Sequence, residues 1–332
     1  ITNIMNHISD SKRESYVLIC ETKQAVSNHI TRVWEKHKDL ISQTVSTILK
    51  DKLEVKSERL YQIEPTQNRY TFCGNYRRPL KIISDLCRKS IPTTSDGANE
   101  VKGSSGYFFY ETQDGYNFLS VDTILKSEPV AKYIMTPSKE ASNPKNNFTI
   151  SSQPQWKESH DLLKKLRSGS FKTANFYFDL NTRLPEFTEF SYSESVGKLM
   201  KKSNDEEVIP KDFTDARSRI ILGVIDRGAM AKDSEGKDLQ TPQDQAKFQA
   251  QSSARYSHLF SQTLQVTVPM NLTLRVGNML ELEFPEINTE ESKGTRNPNS
   301  GNYMIVKLAH EFGNPQGDFT GLTLVRDTYK TK

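Results

Sequence analysis

Over its last third the chain alternates between apolar and polar positions. Leu272, Leu274 and Val276 are separated by Thr273 and Arg275, and Leu280, Leu282 and Phe284 by Glu281 and Glu283. Apolar side chains at every second position belong to strands with one buried and one wetted face. The Gly277–Asn278 pair between these runs predicts a tight turn. Gln262–Pro269, Ser300–Phe312 and Phe319–Asp327 continue the pattern. Strands in tandem of this kind predict an antiparallel barrel or sandwich.

Upstream the period lengthens. Val26, Ile30, Val33 and Trp34 recur at helical spacing behind Thr22, whose hydroxyl can accept from a first-turn amide. Ile41, Val45, Ile48 and Leu49 form a second stripe behind Asp39. Leu80, Ile83 and Cys87 form a third behind Pro79, a residue suited to a first helical position. Residues 11–21 hold one short β-prone run. The clearest hairpin is Gly106–Val121, where aromatic arms flank Asp114–Gly115, a pair that tolerates positive φ. Only alternate strand residues share a face, so about half of Tyr107, Phe108, Phe109, Tyr110, Tyr116 and Phe118 must enter a core. The others could serve as a stacking platform.

Further on, residues 136–147 read as a polar linker and Trp156–Arg167 as a helix closed by Gly169. Ala174–Leu180, Phe187–Tyr192 and Ser218–Val224 read as strands, and Thr241–Leu259 as a helix. The fold class expected from this order is α+β.

Composition narrows the function classes. With 35% hydrophobic residues in 332 and a mean hydropathy of −0.66, the chain is polar for a compact enzyme and suits one with much wetted surface, long polar loops or area buried only between subunits. Its 45 Lys and Arg against 41 Asp and Glu are interspersed, which predicts no clustered footprint for nucleic acid. Cys20, Cys73 and Cys87 lack CxxC spacing, so neither a disulfide framework nor a zinc site is expected. No apolar run approaches the length of a membrane span and no leader is visible, which leads to an expectation of cytoplasmic synthesis and no membrane anchor.

Candidate chemistry is sparse. The chain has no G-x-S-x-G, HExxH, phosphate-binding loop or G-x-G-x-x-G. His310–Glu311 opens like a zinc helix, but Asn314 stands where the second histidine would fall and the segment reads as strand. His160–Asp161 suits a helix start better than a catalytic dyad, since no nucleophile accompanies it. Glu281 and Glu283 form an acidic row, either a solvated face or a lining that repels phosphate. No catalytic, cofactor or metal residue is therefore assigned. Asp114, Gly115, Gly277 and Gly301 are assigned as structural turns on backbone grounds.

Several of these stretches together resemble a known family. The run from Val268 to Pro285, then Ser300-Gly-Asn-Tyr-Met-Ile305, His310-Glu-Phe312 and Leu322-Thr-Leu-Val-Arg-Asp327, resembles the closing barrel of the central baseplate hub proteins of contractile-tailed bacteriophages. Relatives of that family are late control protein D and the hub part of valine-glycine-repeat spike proteins. Tyr16–Val33, Ile41–Lys50, the hairpin Gly106–Asp122, Leu166–Gly169 and Phe178–Thr182 extend the likeness over most of the chain. Met270 departs from it, standing where many relatives have glycine.

The resemblance implies two antiparallel β-barrels with a smaller mixed domain, three copies forming a ring of six barrels. On that reading residues 1–21 end a first barrel that is incomplete in this sequence, and 22–135 form a small α+β domain with its hairpin at 106–121. Residues 136–216 carry a linker, a helix and return strands, and 217–332 form the second barrel. The implied partners are two further copies (a homotrimer), the central spike, the tail tube and other baseplate proteins. DNA would meet the chain only in passing through the lumen, and the implied location is the tail baseplate of the virion. The equivalent hub of a bacterial contractile injection system shares these expectations. The competing reading is a carbohydrate- or receptor-binding adaptor that uses the exposed rings of the hairpin.

Overall fold

A computed structural model describes residues 1–93, 105–135, 149–150, 153–158, 161–179, 183–192, 211–225, 242–285, 297, 299–313 and 317–326. The 136–147 linker and most of the polar stretch 197–216 lie outside the described residues. The chain opens with a hairpin of β1 (Asn3–Asp10) and β2 (Arg13–Ile19), where the sequence pattern marks one strand. Every residue of both strands is exposed.

Thr22 caps α1 (Lys23–Ile30), its hydroxyl accepting from the Ala25 amide at 3.3 Å. The helix stops at Thr31, whose backbone is extended, so Val33 and Trp34 do not continue its face. The cause is a competing partner: Val33 donates to Arg77 O at 3.0 Å, and β3 (Lys36–His37) pairs downstream. Next, α2 (Ile41–Thr47) starts from Leu40 without a side-chain cap, not from Asp39 as the pattern suggests. Its stripe of Ile41, Val45, Ile48 and Leu49 is wholly buried, the last two on a π-helical turn at Ile48–Lys52. Two short strands, β4 (Gln62–Ile63) and β5 (Phe72–Cys73), lead to α3 (Pro79–Cys87), which has Pro79 in its first turn.

The aromatic hairpin is β6 (Tyr107–Glu111) and β7 (Tyr116–Ser120), with β4 added parallel to β7. Ser120 then caps α4 (Val121–Lys126), and β8 (Ala131–Ile134) follows. Trp156 lies on a strand, β9 (Gln155–Glu158), rather than in a helix, because it pairs with Leu264 and packs on Phe284 with ring centroids 5.9 Å apart. The helix itself begins later, as α5 (Leu162–Ser168), with Asp161 accepting from Lys164 N and Gly169 left-handed at φ 72°. Strands β10 (Lys172–Asp179) and β11 (Pro185–Ser191), a short α6 (Lys211–Thr214) and β12 (Arg219–Ile225) build a three-stranded sheet ordered β11-β10-β12. The long helix α7 (Pro242–Leu259) precedes β13 (Gln262–Pro269), β14 (Met279–Glu283), β15 (Gly301–Glu311) and β16 (Phe319–Arg326).

The last four strands are antiparallel, as their alternation predicts, and the sheet they form gains β8 and β9 in the order β8-β14-β15-β16-β13-β9. The architecture is thus mixed α+β with several sheets, none of which closes into a barrel among the described residues. Leu272–Val276 is a loop, not the strand its alternation suggests. Side chains take the amides a strand would need: Asn271 Oδ1 accepts from Thr273 N at 3.0 Å, and Asn278 Oδ1 from Arg275 N at 2.9 Å. The burial alternation is lost with the strand: Leu274 is buried, Leu272 is exposed and Val276 is half-buried.

Both faces of the aromatic hairpin are covered. Tyr107, Tyr116 and Phe118 join a core with Ile41, Val45, Ile48, Ile82 and Ile83. Phe108, Tyr110 and Leu119 pack on a second core of Val121, Ile124, Leu125, Leu259, Met279, Met304 and Val325. Phe118 has no exposed surface, and its ring lies 4.6 Å from that of Tyr107. Phe118→Ala should therefore destabilise the protein by about 3–5 kcal/mol in denaturant titration. A loss below about 1 kcal/mol would mean that the ring lies against water.

Candidate functional site

Three of the four turn residues meet in one place. Across the hairpin's end Thr112 and Gly115 exchange backbone hydrogen bonds of 2.8 and 3.2 Å, so the two central residues of the turn are Gln113 and Asp114. Gly115 follows at φ 147°, and a Cβ there would lie 2.4 Å from Arg59 O. Asp114 Oδ2 accepts from Arg275 Nε at 3.0 Å, and Gln113 Oε1 from Arg275 Nη2 at 2.9 Å. The remaining guanidinium nitrogen donates to Leu272 O and Leu274 O at 2.6 and 3.0 Å. Arg275 thereby ties the hairpin tip to the loop before β14. Gly277, at φ 87°, lies on that loop against the Tyr110 ring, whose hydroxyl oxygen would stand 2.3 Å from an added Cβ. Burial pushes the Tyr110 phenol up to about 12. Gly301, at φ 148°, stands apart at the start of β15, with Arg326 Nη1 3.4 Å from where its Cβ would be.

The histidines do not converge. His310 Nδ1 bonds Thr320 Oγ1 at 2.9 Å across β15 and β16, and His258 stacks on Tyr192 with centroids 4.0 Å apart. His160 lies outside the described residues. Among the described residues no three His, Cys, Asp or Glu side chains could hold a metal ion. A groove of about 500 Å³ crosses the outer face of β9, β13, β16 and β15, floored by Gly321 and Ala309 and flanked by Gln155, Gln265, Thr323 and Lys307. Among the described residues its walls contain no carboxylate, histidine, cysteine or serine, and the reactive groups there are the Lys307 amine and the hydroxyls of Thr267 and Thr323. The acidic row is partly answered: Lys132 on β8 reaches Glu281 at 3.4 Å and Glu283 at 2.6 Å.

The surfaces that stand out are apolar and uncovered. In the three-stranded sheet Phe176 pairs with Phe187 and Leu222, and Phe178 with Val224, which places them on one face. Phe176, Phe178, Phe187, Ile220, Leu222 and Val224 are between 41% and 78% exposed. The β1–β2 hairpin likewise exposes Ile4, Ile8, Tyr16 and Leu18. A two-stranded ribbon is marginal alone, and contiguous exposed apolar faces are typical of surfaces that pack against something further. The sequence pattern marks β2 and the strands of the three-stranded sheet but neither β1 nor this exposure, because apolar strand residues are normally taken to be buried.

No protein-family model matches the chain, and no curated protein matches it in sequence. Among solved structures it is similar to a tail protein from Neisseria meningitidis, with a TM-score of 0.50 at 10% identity over 90% of this chain and 70% of that one. The likeness is one of fold. The prophage MuSo2 tail protein of Shewanella oneidensis gives a TM-score of 0.46 at 10% identity over 92% of this chain and 70% of the other. A component of the Escherichia coli type VI secretion system gives 0.41 at 10% identity, over 99% and 62%. The first of these carries the assignment, which concerns fold, and it agrees with the hub-like resemblance in the sequence.

The turn geometry yields a paired test. Gly277→Ala adds a clash with Tyr110 to backbone strain, whereas Gly313→Ala, at φ 72° with open space around it, adds strain alone. The first should cost about 1–3 kcal/mol more than the second in urea unfolding. Equal costs would show that Tyr110 does not press on the loop.

Proposed function

We propose that the chain is a structural component of a contractile-tail baseplate, a hub that assembles as a homotrimer and joins the tail tube to the central spike. The observation that carries this reading is the pair of uncovered apolar sheets on a tail-protein fold. A side chain such as Leu222, 78% exposed between Phe176 and solvent, is stabilised by about 1.5–3 kcal/mol once a neighbouring polypeptide buries it. A ring of copies supplies such a neighbour and leaves fewer open sheet edges. In this proposal residues 1–21 and 136–216 contribute to a first barrel, 22–135 to the small domain and 217–332 to a second barrel. The genome passes through the bore, and the assembled protein resides in the virion after synthesis in the host cytoplasm. Among the described residues no helix is long and apolar enough to cross a membrane.

The adaptor reading loses its main support, since Tyr107 and Tyr116 are buried and the hairpin's other face packs on a second core. The equivalent part of a bacterial injection machine would use the same surfaces, and neighbouring genes would tell the two apart.

Native mass spectrometry of the full-length protein with its co-purifying partners tests the hub. A three-copy species that captures a spike protein is expected, and a monomer that takes up no partner would overturn the reading. Phe176→Ser with Leu222→Ser should leave the circular dichroism of the subunit unchanged, because exposed positions shift stability by only about 0.5 kcal/mol each. The same pair should weaken assembly at least tenfold. Assembly at unchanged concentration would clear this sheet face of any role.

A further inference from the structure

Residues 31–40 run extended beside residues 69–77. Val33 bridges Arg77, β3 pairs with β5, and Leu40 bridges Arg69. Along the first of these segments Arg32, Trp34, Lys36 and Lys38 are all exposed, while Val33 between them is fully buried. Exposed Arg69, Tyr76 and Arg78 stand on or next to the neighbouring segment. Trp34 and Tyr76 are 63% and 73% exposed, and they follow and precede the bridged pair Val33 and Arg77, so they occupy neighbouring positions across the ribbon.

The charges here are unbalanced. None of Arg32, Lys36, Lys38, Arg69 and Arg78 has an ion pair among the described residues, whereas nearby Lys52 pairs with Glu35, and Arg77 and Lys81 pair with Asp85. The acids of the ribbon are Glu35, which the bond from Lys52 holds below its ordinary pKa, and exposed Asp39. His37, stacked on Phe72, is kept below its usual value by burial and adds no charge at neutral pH.

The backbone beside Trp34 is also unusual. Arg77 N donates to Gly74 O at 3.1 Å around Asn75 and Tyr76, at φ 51° and 54°. Two left-handed residues in succession make a turn that favours Asn-Gly, and a bulky ring at the second position strains it. The turn cannot relax inward, because Gly74 already lies against the Val33 carbonyl, 2.3 Å from where a Cβ would be. A strained turn thus holds the Tyr76 ring out in water beside an exposed tryptophan.

We propose that this ribbon binds single-stranded nucleic acid without sequence preference. Outward positions on a strand recur about every 6.8 Å, so Arg32, Lys36 and Lys38 offer a row of cations to a phosphate backbone. Trp34 and Tyr76 offer flat faces to unpaired bases, which every base can use. The proposal goes beyond the hub reading and needs neither a trimer nor a spike. The even charge balance of the whole sequence hides the patch, since the cations come together only where two segments pair.

Fluorescence anisotropy of a labelled oligothymidine with the full-length chain tests it, with the part of the tryptophan emission lost in Trp34→Ala as a second signal. Binding should weaken as salt rises, and the slope of log affinity against log salt should fall by about 0.7 in each of Lys36→Ala and Lys38→Ala. Trp34→Ala, an exposed position, should weaken binding on the order of tenfold with the circular dichroism unchanged. Binding as tight to a duplex or to heparin, with no effect of Trp34→Ala, would overturn the stacking interaction and the proposal with it. Preference for phosphatidylserine vesicles over the oligonucleotide, or no binding at low salt, would overturn it equally.

Discussion

Two hydrophobic cores share one β-hairpin, and neither is complete without it. Tyr107, Tyr116 and Phe118 close the core built by α2 and α3, while Phe108, Tyr110 and Leu119 close the one beneath α4 and the end of α7. The hairpin is therefore an internal layer, and its position fixes how the small helical unit meets the six-stranded sheet. Polar contacts hold the same junction: Arg275 grips Asp114 and Gln113 at the tip, and Tyr256 of α7 donates to Tyr107 O at the base. Ser105, just before the hairpin, donates to Phe248 O and is itself buried.

Period-two alternation was a dependable guide where hydrogen bonding had no rival. Gln262–Pro269, Met279–Glu283 and Phe319–Arg326 alternate in sequence and are strands in the fold. Leu272–Val276 alternates just as well, yet Asn271 and Asn278 supply acceptors closer than any partner strand. The helical stripe from Val26 to Trp34 failed for a related reason, since the amide of Val33 found Arg77 O and left the helix. Trp156 was misread because an aromatic among polar neighbours fits either period, and only its pairing with Leu264 decides. Local spacing cannot report a partner that lies far along the chain.

The turn residues were more legible in kind than in register. Gly115, Gly277 and Gly301 all take positive φ, but Asp114–Gly115 does not form the centre of its turn, which falls one residue earlier. What made Gly277 necessary was invisible in the sequence, because Tyr110 lies far away along the chain. The exposed sheet faces were equally hidden. Phe176 and Leu222 look like core residues by composition, and only their placement on an uncovered face identifies them as surface.

The shared hairpin also sets an order of events during synthesis. Tyr107–Ser120 is complete long before Leu259 and the strands that follow it have left the ribosome. At about 5–20 residues per second, the aromatic face waits roughly 7–28 seconds for the end of α7 and roughly 10–41 seconds for the last strand. During that interval the α2–α3 side can already close over Phe118, because all its other members precede the hairpin in the chain. The nascent protein thus passes through a half-built state whose sticky side is Phe108, Tyr110 and Leu119. Slowing translation between residues 120 and 260 would lengthen the life of that state.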